Sequence, residues 1–391
     1  TQFGREPHSL LEAKYDLSLG KGYHMHQTYQ KQDIAISSDE LTKHTFITGS
    51  TGAGKSNAIY QLLEQTTKLG VNFLVIEPAK GEYKNFFGKR DDVNVYGTNP
   101  KFKDIQLLKI NPFSFPVETT HILEHLDRLV EIFNICWPMY AAMPAVLKDA
   151  IEQAYINAGW DLTQSENKYD NRIFPNFADV LIEIKNVMDK SEYSDENKSN
   201  YSGALRTRLK SLTNGINGLI FSNDSVADED LFDKNAIIDL SRVGSNETKA
   251  LIMGLLILKL QEHRMASPEP NSKLKHITVI EEAHNLLKRT STEQVSESSN
   301  LLGKSVEMLA NAIAEMRTYG EGFVIADQSP GLLDMSVIRN TNTKMILRLP
   351  DFSDRELVGR AAGLNEEQIV ELGRLEKGVA VISQNDWLEP V

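Results

Sequence analysis

The sequence is poor in cysteine, in long apolar runs and in positive charge, and each shortage excludes a class of protein. Cys136 is the only cysteine among 391 residues. No intramolecular disulfide can form, and the usage fits a reducing compartment such as the cytoplasm. No apolar run reaches the ~18 residues that a spanning helix needs. The longest candidate, Leu251–Leu258, is interrupted by Gly254 and stops at Lys259, so no integral membrane segment is expected. A basic segment followed by an apolar stretch is absent from the first residues, so no signal peptide is expected either. With Thr1 in place of a starting Met, the chain reads as processed or as part of a longer protein. A formal net charge of −12 excludes a uniformly basic coat for nucleic acid but leaves room for a local basic channel. Hydrophobic residues at 41% and charged residues at 25% exclude general disorder and a fibrous chain.

What is present is an alternation of short β-type runs and helical patterns. The runs 44–48, 71–76, 236–240, 277–280, 323–326, 345–349 and 379–383 are apolar enough to be strands buried on both faces. Residues 57–69 carry Ala58, Leu62, Leu63 and Leu69 near one helical face, with Gly70 as the expected stop. Residues 248–264 are apolar nearly all round and predict a buried helix. Between 117 and 233 the texture is helical with no clear strand. The expectation is an α/β fold whose mostly parallel sheet is built from residues 41–116 and 234–391, with 117–233 as an α-helical insertion and 1–40 as a lead-in.

The strongest motif is Gly49-Ser50-Thr51-Gly52-Ala53-Gly54-Lys55-Ser56, which fits G-x-x-x-x-G-K-[ST] and lies between an expected strand and an expected helix. Its glycines let backbone N–H groups face phosphates, and the helix N-terminus adds positive potential. Lys55 supplies a charge for the β and γ phosphates, and Ser56 a hydroxyl for Mg²⁺. Downstream, the run "HITVI" ends in Glu281 and Glu282. Adjacent carboxylates at a strand end suit a metal-side ligand followed by a base for the attacking water; an acidic helix start is the plainer alternative. His284 either relays contact to a neighbour or makes a local hydrogen bond. Gln328, after "FVIAD", is either a water-orienting amide or part of a polar turn before Pro330. Arg317, Arg339 and Arg348 are either cations for the transition state or solvated groups.

Taken in order, "LTKHTFITGSTGAGKSN", "FLVIEPAKGEYK", "INPF", "ALRTRLKSL", "ITVIEEAHNLL", "AEMRTYGEGFVIADQSP" and "IRNTNTKMILRLPD" resemble the HerA-like branch of the FtsK–HerA superfamily of P-loop ATPases. The resemblance runs over roughly 41–391, and "EPAKGEY" is its most specific part beyond the P-loop. The family usually has Asp where this chain has Glu281 or Glu77. The resemblance implies a RecA-like P-loop NTPase core and a homo-oligomeric, hexameric ring with ATP and Mg²⁺ between subunits. It further implies double-stranded DNA in the centre and a nuclease or other effector docked outside, in antiviral defence among other settings. By the same correspondence Thr51, Gly52, Ala53, Gly54, Lys55, Ser56 and Asn57 bind nucleotide, and Ser56 with Glu281 holds Mg²⁺. Glu282 is the base, Gln328 the sensor, and Arg348, Arg339 and Arg317 are candidate trans-acting cations. About forty residues precede the P-loop, too few for the family's N-terminal β-barrel; "LGKGYHM" and "DIAISSDEL" are read as strands leading from it. Three stretches have the charge to touch DNA: Lys80–Lys103 with its aromatics, Lys288–Asn300, and Arg206, Arg208 and Lys210 read as one helix face. Each is equally readable as a solvated surface. Two other functions stay open: a nucleotide-gated scaffold for a defence effector, and a secretion or conjugation ATPase.

Overall fold

The computed structural model describes residues 15–24, 26–102, 105–267, 269, 271–290 and 297–391, without the side chains of 297–300. Strands β1 (Leu17–His24) and β2 (Gln27–Ile36) form an antiparallel hairpin. The remaining order is β3 (Thr45–Thr48), α1 (Lys55–Lys68), β4 (Asn72–Glu77), α2 (Tyr83–Phe87), β5 (Val93–Gly97) and β6 (Gln106–Leu107). A helical stretch follows: α3 (Ile122–Cys136), α4 (Met143–Asn157), a small hairpin of β7 (Trp160–Asp161) and β8 (Glu166–Asn167), α5 (Phe177–Lys190), α6 (Asp195–Thr213), α7 (Gly215–Ile220) and α8 (Asp228–Phe232). The chain then returns through β9 (Asn235–Asp239), α9 (Asn246–Ala266), β10 (His276–Glu281), α10 (Glu297–Glu315), β11 (Glu321–Asp327), α11 (Met335–Arg339), β12 (Thr343–Ile346), α12 (Phe352–Ala361), α13 (Glu366–Glu371) and β13 (Val381–Gln384).

Nine strands make one sheet in the order β13-β12-β3-β11-β10-β4-β9-β5-β6. Every neighbouring pair is parallel except β12 with β13. All seven strands expected from the sequence are present, six within two residues at each end, while β12 ends at Ile346, three residues short of the expected 349. Each is apolar on both faces: in β4, Leu74 and Ile76 enter the core cluster under the helices, while Phe73 and Val75 enter the cluster under α1 and α2. β5 and β6 escaped the sequence reading. β5 has half-exposed Asn94 and Val95 between buried Val93 and Tyr96, and β6 is two residues long. The β7–β8 hairpin likewise corrects the expectation of an unbroken helical stretch from 117 to 233.

α9 is buried nearly all round because it lies between the sheet and α3. A Cβ at Gly254 would meet Ile132 Cγ2 at 2.8 Å, so this glycine lets the two helices approach closely. The helical stretch and one face of the sheet therefore share a single hydrophobic cluster, which runs from Leu126 and Phe133 through Leu255 to Ile280. The β1–β2 hairpin rests on the other side. Ser18 exchanges hydrogen bonds with Gln65 of α1, and Leu17, Ile34 and Ile36 join the second cluster. β2 starts at Gln27 and ends at Ile36, earlier than "DIAISSDEL" suggested. Among the described residues no helix is long and apolar enough to cross a membrane.

Parallel strands send their carboxyl ends to one edge. Gly49, Glu77, Glu281 and Asp327 thereby converge, while His44, Asn72, His276 and Glu321 collect at the opposite edge.

Candidate functional site

The P-loop occupies the bend between β3 and α1. Gly54 is the N-cap residue of α1 with φ +120°, a conformation that L side chains rarely adopt, and a Cβ there would lie 3.2 Å from Leu347 Cδ2. The bend is tied to the end of β12 by Ser50 N–H donating to Arg348 O at 2.8 Å. It is tied to the C-terminal region by Gly378 N–H donating to Ala53 O at 2.9 Å. Lys55 is buried at 7% exposure and donates to Gly49 O at 2.6 Å. Burial lowers its pKa, and Glu281 and Glu282 raise it. Thr51 and Asn57 are exposed, and Ser56 is half-buried at the same cleft.

Facing the P-loop are the two carboxylates at the end of β10. Glu281 is pushed up by burial foremost and by its neighbour Glu282, against the donated hydroxyl of Tyr83, 2.6 Å from Glu281 Oε1. Glu282 follows in the left-handed region at φ 47°, ψ 50°, and Asn285 fastens this turn by donating N–H and Nδ2 to Glu282 O at 2.9 and 2.8 Å. Gln328, just past β11, bridges the two halves. It donates Nε2 to Glu282 Oε1 and accepts the Thr51 hydroxyl at 2.5 Å. His284 makes the local hydrogen bond: its Nδ1 lies 2.9 Å from the fully buried Asp327, which also accepts the His284 N–H at 2.8 Å. The Asp327 contact raises the His284 pKa.

The fold brings in residues that the motif reading had not assigned to the site. Glu77, at the end of β4, is 3% exposed, and its carboxylate accepts the backbone N–H groups of Glu82 at 2.7 Å and Tyr83 at 3.2 Å. Burial dominates and pushes its pKa up to about 7. Lys80 lines the same cleft. The sequence signal was "EPAKGEY" directly after a strand, the position at which a parallel sheet places ligand-binding groups.

The basic stretch Lys80–Lys103 is thereby divided. Lys80 belongs to the cleft, Lys84 pairs with Asp239, and Arg90 pairs with Asp92 at 2.5 Å. Tyr83 and Phe87 are buried, and Phe86 stacks on Tyr60 at 4.5 Å. Lys89 and Lys101 stay exposed, and Lys103 lies outside the described residues. Arg206, Arg208 and Lys210 do not share one face. At ~100° per residue a spacing of two turns Arg208 away, and Leu205 and Leu209 define the buried side between them. Of the stretch 288–300, Lys288 bridges to Leu333 and Arg289 N–H donates to Leu332 O at 2.7 Å; the side chains of 291–300 lie outside the described residues. Arg348 is exposed at the P-loop edge. Arg317 and Arg339 are exposed at the opposite edge, one before β11 and one before β12, so the chain does not bring them to its own cleft.

The donor set suits a magnesium triphosphate. A buried ammonium bonded to a loop carbonyl, a helix N-terminus, a serine hydroxyl and a carboxylate at the end of β10 converge on one cleft. A second carboxylate, that of Glu282, accepts the Gln328 amide at the same cleft.

Comparison with known proteins points the same way. The family model described as "Helicase HerA, central domain" matches residues 21–260. A DNA double-strand break repair helicase HerA of Sulfurisphaera tokodaii is 25% identical over 358 residues, covering 90% of this chain and 64% of the relative. That of Sulfolobus acidocaldarius is also 25% identical over 358 residues, with the same coverage. The chain thus spans just under two thirds of the length of these relatives. Among solved structures, VirB4 of Thermoanaerobacter pseudethanolicus superposes with a TM-score of 0.71 at 17% identity, covering 97% of this chain and 96% of that one. The plasmid coupling protein TrwB, in complex with ADP and Mg²⁺, gives 0.64 at 12%, covering 100% and 96%. At such identities these two establish the fold alone, an α/β core around a mostly parallel sheet.

Proposed function

The chain belongs to the HerA helicase family by its central domain, and from that premise we propose that it is an ATP-hydrolysing motor acting on double-stranded DNA. The observation that carries the proposal is the placement of Lys55 and Ser56 opposite Glu281, Glu282 and Gln328 across one cleft. In this reading the backbone of 51–54 with Lys55, Ser56 and Asn57 binds the nucleotide. Ser56 and Glu281 hold Mg²⁺, which supplies charge neutralisation on the phosphates when bound. Glu282 takes the proton of the attacking water, and Gln328 orients that water while sensing the γ-phosphate through its contact with Thr51. Arg348, Arg339 and Arg317 are candidates to reach the cleft of a neighbouring copy, with Arg348 favoured for its place at the P-loop edge.

The assembly proposed is a hexameric ring in the cytoplasm, its core formed by 41–116 and 234–391, with 117–233 as a helical insertion and the segment up to 40 as the lead-in. It would serve a nuclease or other effector, antiviral defence being one such setting. The test is ATP turnover at low salt, with and without double-stranded DNA, alongside the native mass with nucleotide. Stimulation by DNA, loss of turnover in Lys55→Ala and a mass of six copies are expected. Turnover by the assembled protein that ignores DNA would overturn the motor reading.

A further inference from the structure

We propose that Tyr83 is a positioning residue for Glu281 and that its hydroxyl sets the magnesium requirement of the cleft; this rests on the nucleotide reading above. Tyr83 is 1% exposed, and three elements of the site fix it. Its hydroxyl donates to Glu281 Oε1 at 2.6 Å, on β10. Its backbone N–H donates to Glu77 Oε2 at 3.2 Å, on β4. Its ring meets that of Tyr60, on the P-loop helix, edge to face at 4.9 Å and 87°. One side chain thus ties together the helix that carries Lys55, the strand that ends in Glu77 and the strand that ends in the two carboxylates.

The physical need for this tie follows from the length of the Glu281 arm. A glutamate at a strand end has several rotamers open to it, and only some of them present an oxygen to the cleft. A donated hydroxyl commits one oxygen, leaving the other for a cation. It also removes the rotamer freedom of a glutamate arm. Hydrogen bonds of this kind behind a ligating carboxylate tune metal affinity by roughly 10–100-fold.

Tyr83→Phe keeps the ring and deletes only the hydroxyl. The Mg²⁺ concentration for half-maximal binding of a non-hydrolysable ATP analogue, followed by calorimetry, should rise roughly tenfold, and turnover should recover as Mg²⁺ is raised. In Glu281→Asp, whose arm is shorter by one methylene and withdraws from the hydroxyl, adding Tyr83→Phe should cause no further shift. An unchanged Mg²⁺ requirement in Tyr83→Phe overturns the inference. So does a loss of turnover that Mg²⁺ does not restore, because that would place Tyr83 in packing alone. Failure of the unaltered protein to bind the analogue at any Mg²⁺ concentration would instead overturn the nucleotide reading.

Discussion

At the amino-terminal edge of the sheet, Glu321 is fully buried and fully engaged. Its carboxylate meets His276 Nδ1 at 2.8 Å, the Thr278 hydroxyl at 2.8 Å and Arg264 Nε at 2.9 Å, and Arg264 continues to Asp233 at 2.7 Å. Burial raises the Glu321 pKa, but His276 and Arg264 outweigh it and hold the group below its ordinary value. At the carboxyl-terminal edge the same kind of burial is only partly offset, by backbone N–H groups at Glu77 and the Tyr83 hydroxyl at Glu281. Glu77 and Glu281 are both raised, with burial the leading cause, and the cations of this edge, Lys55 and Lys80, line the cleft with them. One edge pairs its charges with one another, as structure requires; at the other, beside the Lys84–Asp239 and His284–Asp327 pairs, Glu77 and Glu281 lie at a cleft with Lys55 and Lys80. The difference separates an ion network closed on itself from a group of carboxylates around an open cleft, although both lie at strand ends of one sheet.

If that division holds, damage to the two edges should be of different kinds. Glu282→Gln should lower ATP turnover by roughly 10²–10⁴-fold, while the midpoint of urea unfolding stays where it was. On the paired edge, Glu321→Ala leaves His276 and Arg264 without their carboxylate and should cost ~3–5 kcal/mol of stability, measured by urea unfolding, with turnover per folded molecule retained. A Glu321→Ala protein that is stable but inactive would break the comparison.

The smallest effect is in the pH dependence, where the two edges should have opposite signs. Glu77, raised to about 7, holds its proton in the folded state between its ordinary range and that value, so its contribution to stability is present at low pH and lost as pH rises through about 7. His284 is also raised, so its contribution is likewise lost as pH rises, above the ordinary histidine range. His44, at the other edge, is lowered to about 4 chiefly by burial; it stays neutral when folded, and its contribution is lost as pH falls from about 6.5 toward 4. Unfolding curves between pH 5 and 8 should therefore have a smaller acid-favouring component in Glu77→Gln and a smaller alkali-favouring component in His44→Gln.

The parts of the molecule that the sequence made legible are those specified locally. The bend at 49–56 needs its glycines, lysine and serine in consecutive order, so a motif contains it. The seven strands from β13 to β9 in the sheet are apolar on both faces and are readable as continuous runs. β5 has half-exposed positions within five residues and gives no such signal. The less legible part of the cleft is assembled across the sheet. Glu77 and Asp327 are single carboxylates at the ends of strands that become neighbours of β10 only through pairing. Tyr83 lies 198 positions from the carboxylate it touches. Lys80 reads as one member of a basic run until the end of β4 places it at the cleft that Lys55 lines. Charge counted along the chain misplaces such a residue, because the edge of the sheet on which a side chain ends is fixed by topology.

The central claim is that the cleft at the carboxyl-terminal edge takes a magnesium triphosphate through Lys55. Equilibrium binding of Mg²⁺ with a non-hydrolysable ATP analogue, compared between the unaltered chain and Lys55→Ala, tests it most directly. Saturable binding by the unaltered chain, weakened at least about tenfold by loss of a charge-assisted contact worth ~1.5–3 kcal/mol, is the predicted result. Equal affinity in the two proteins, or no binding in either, would contradict it.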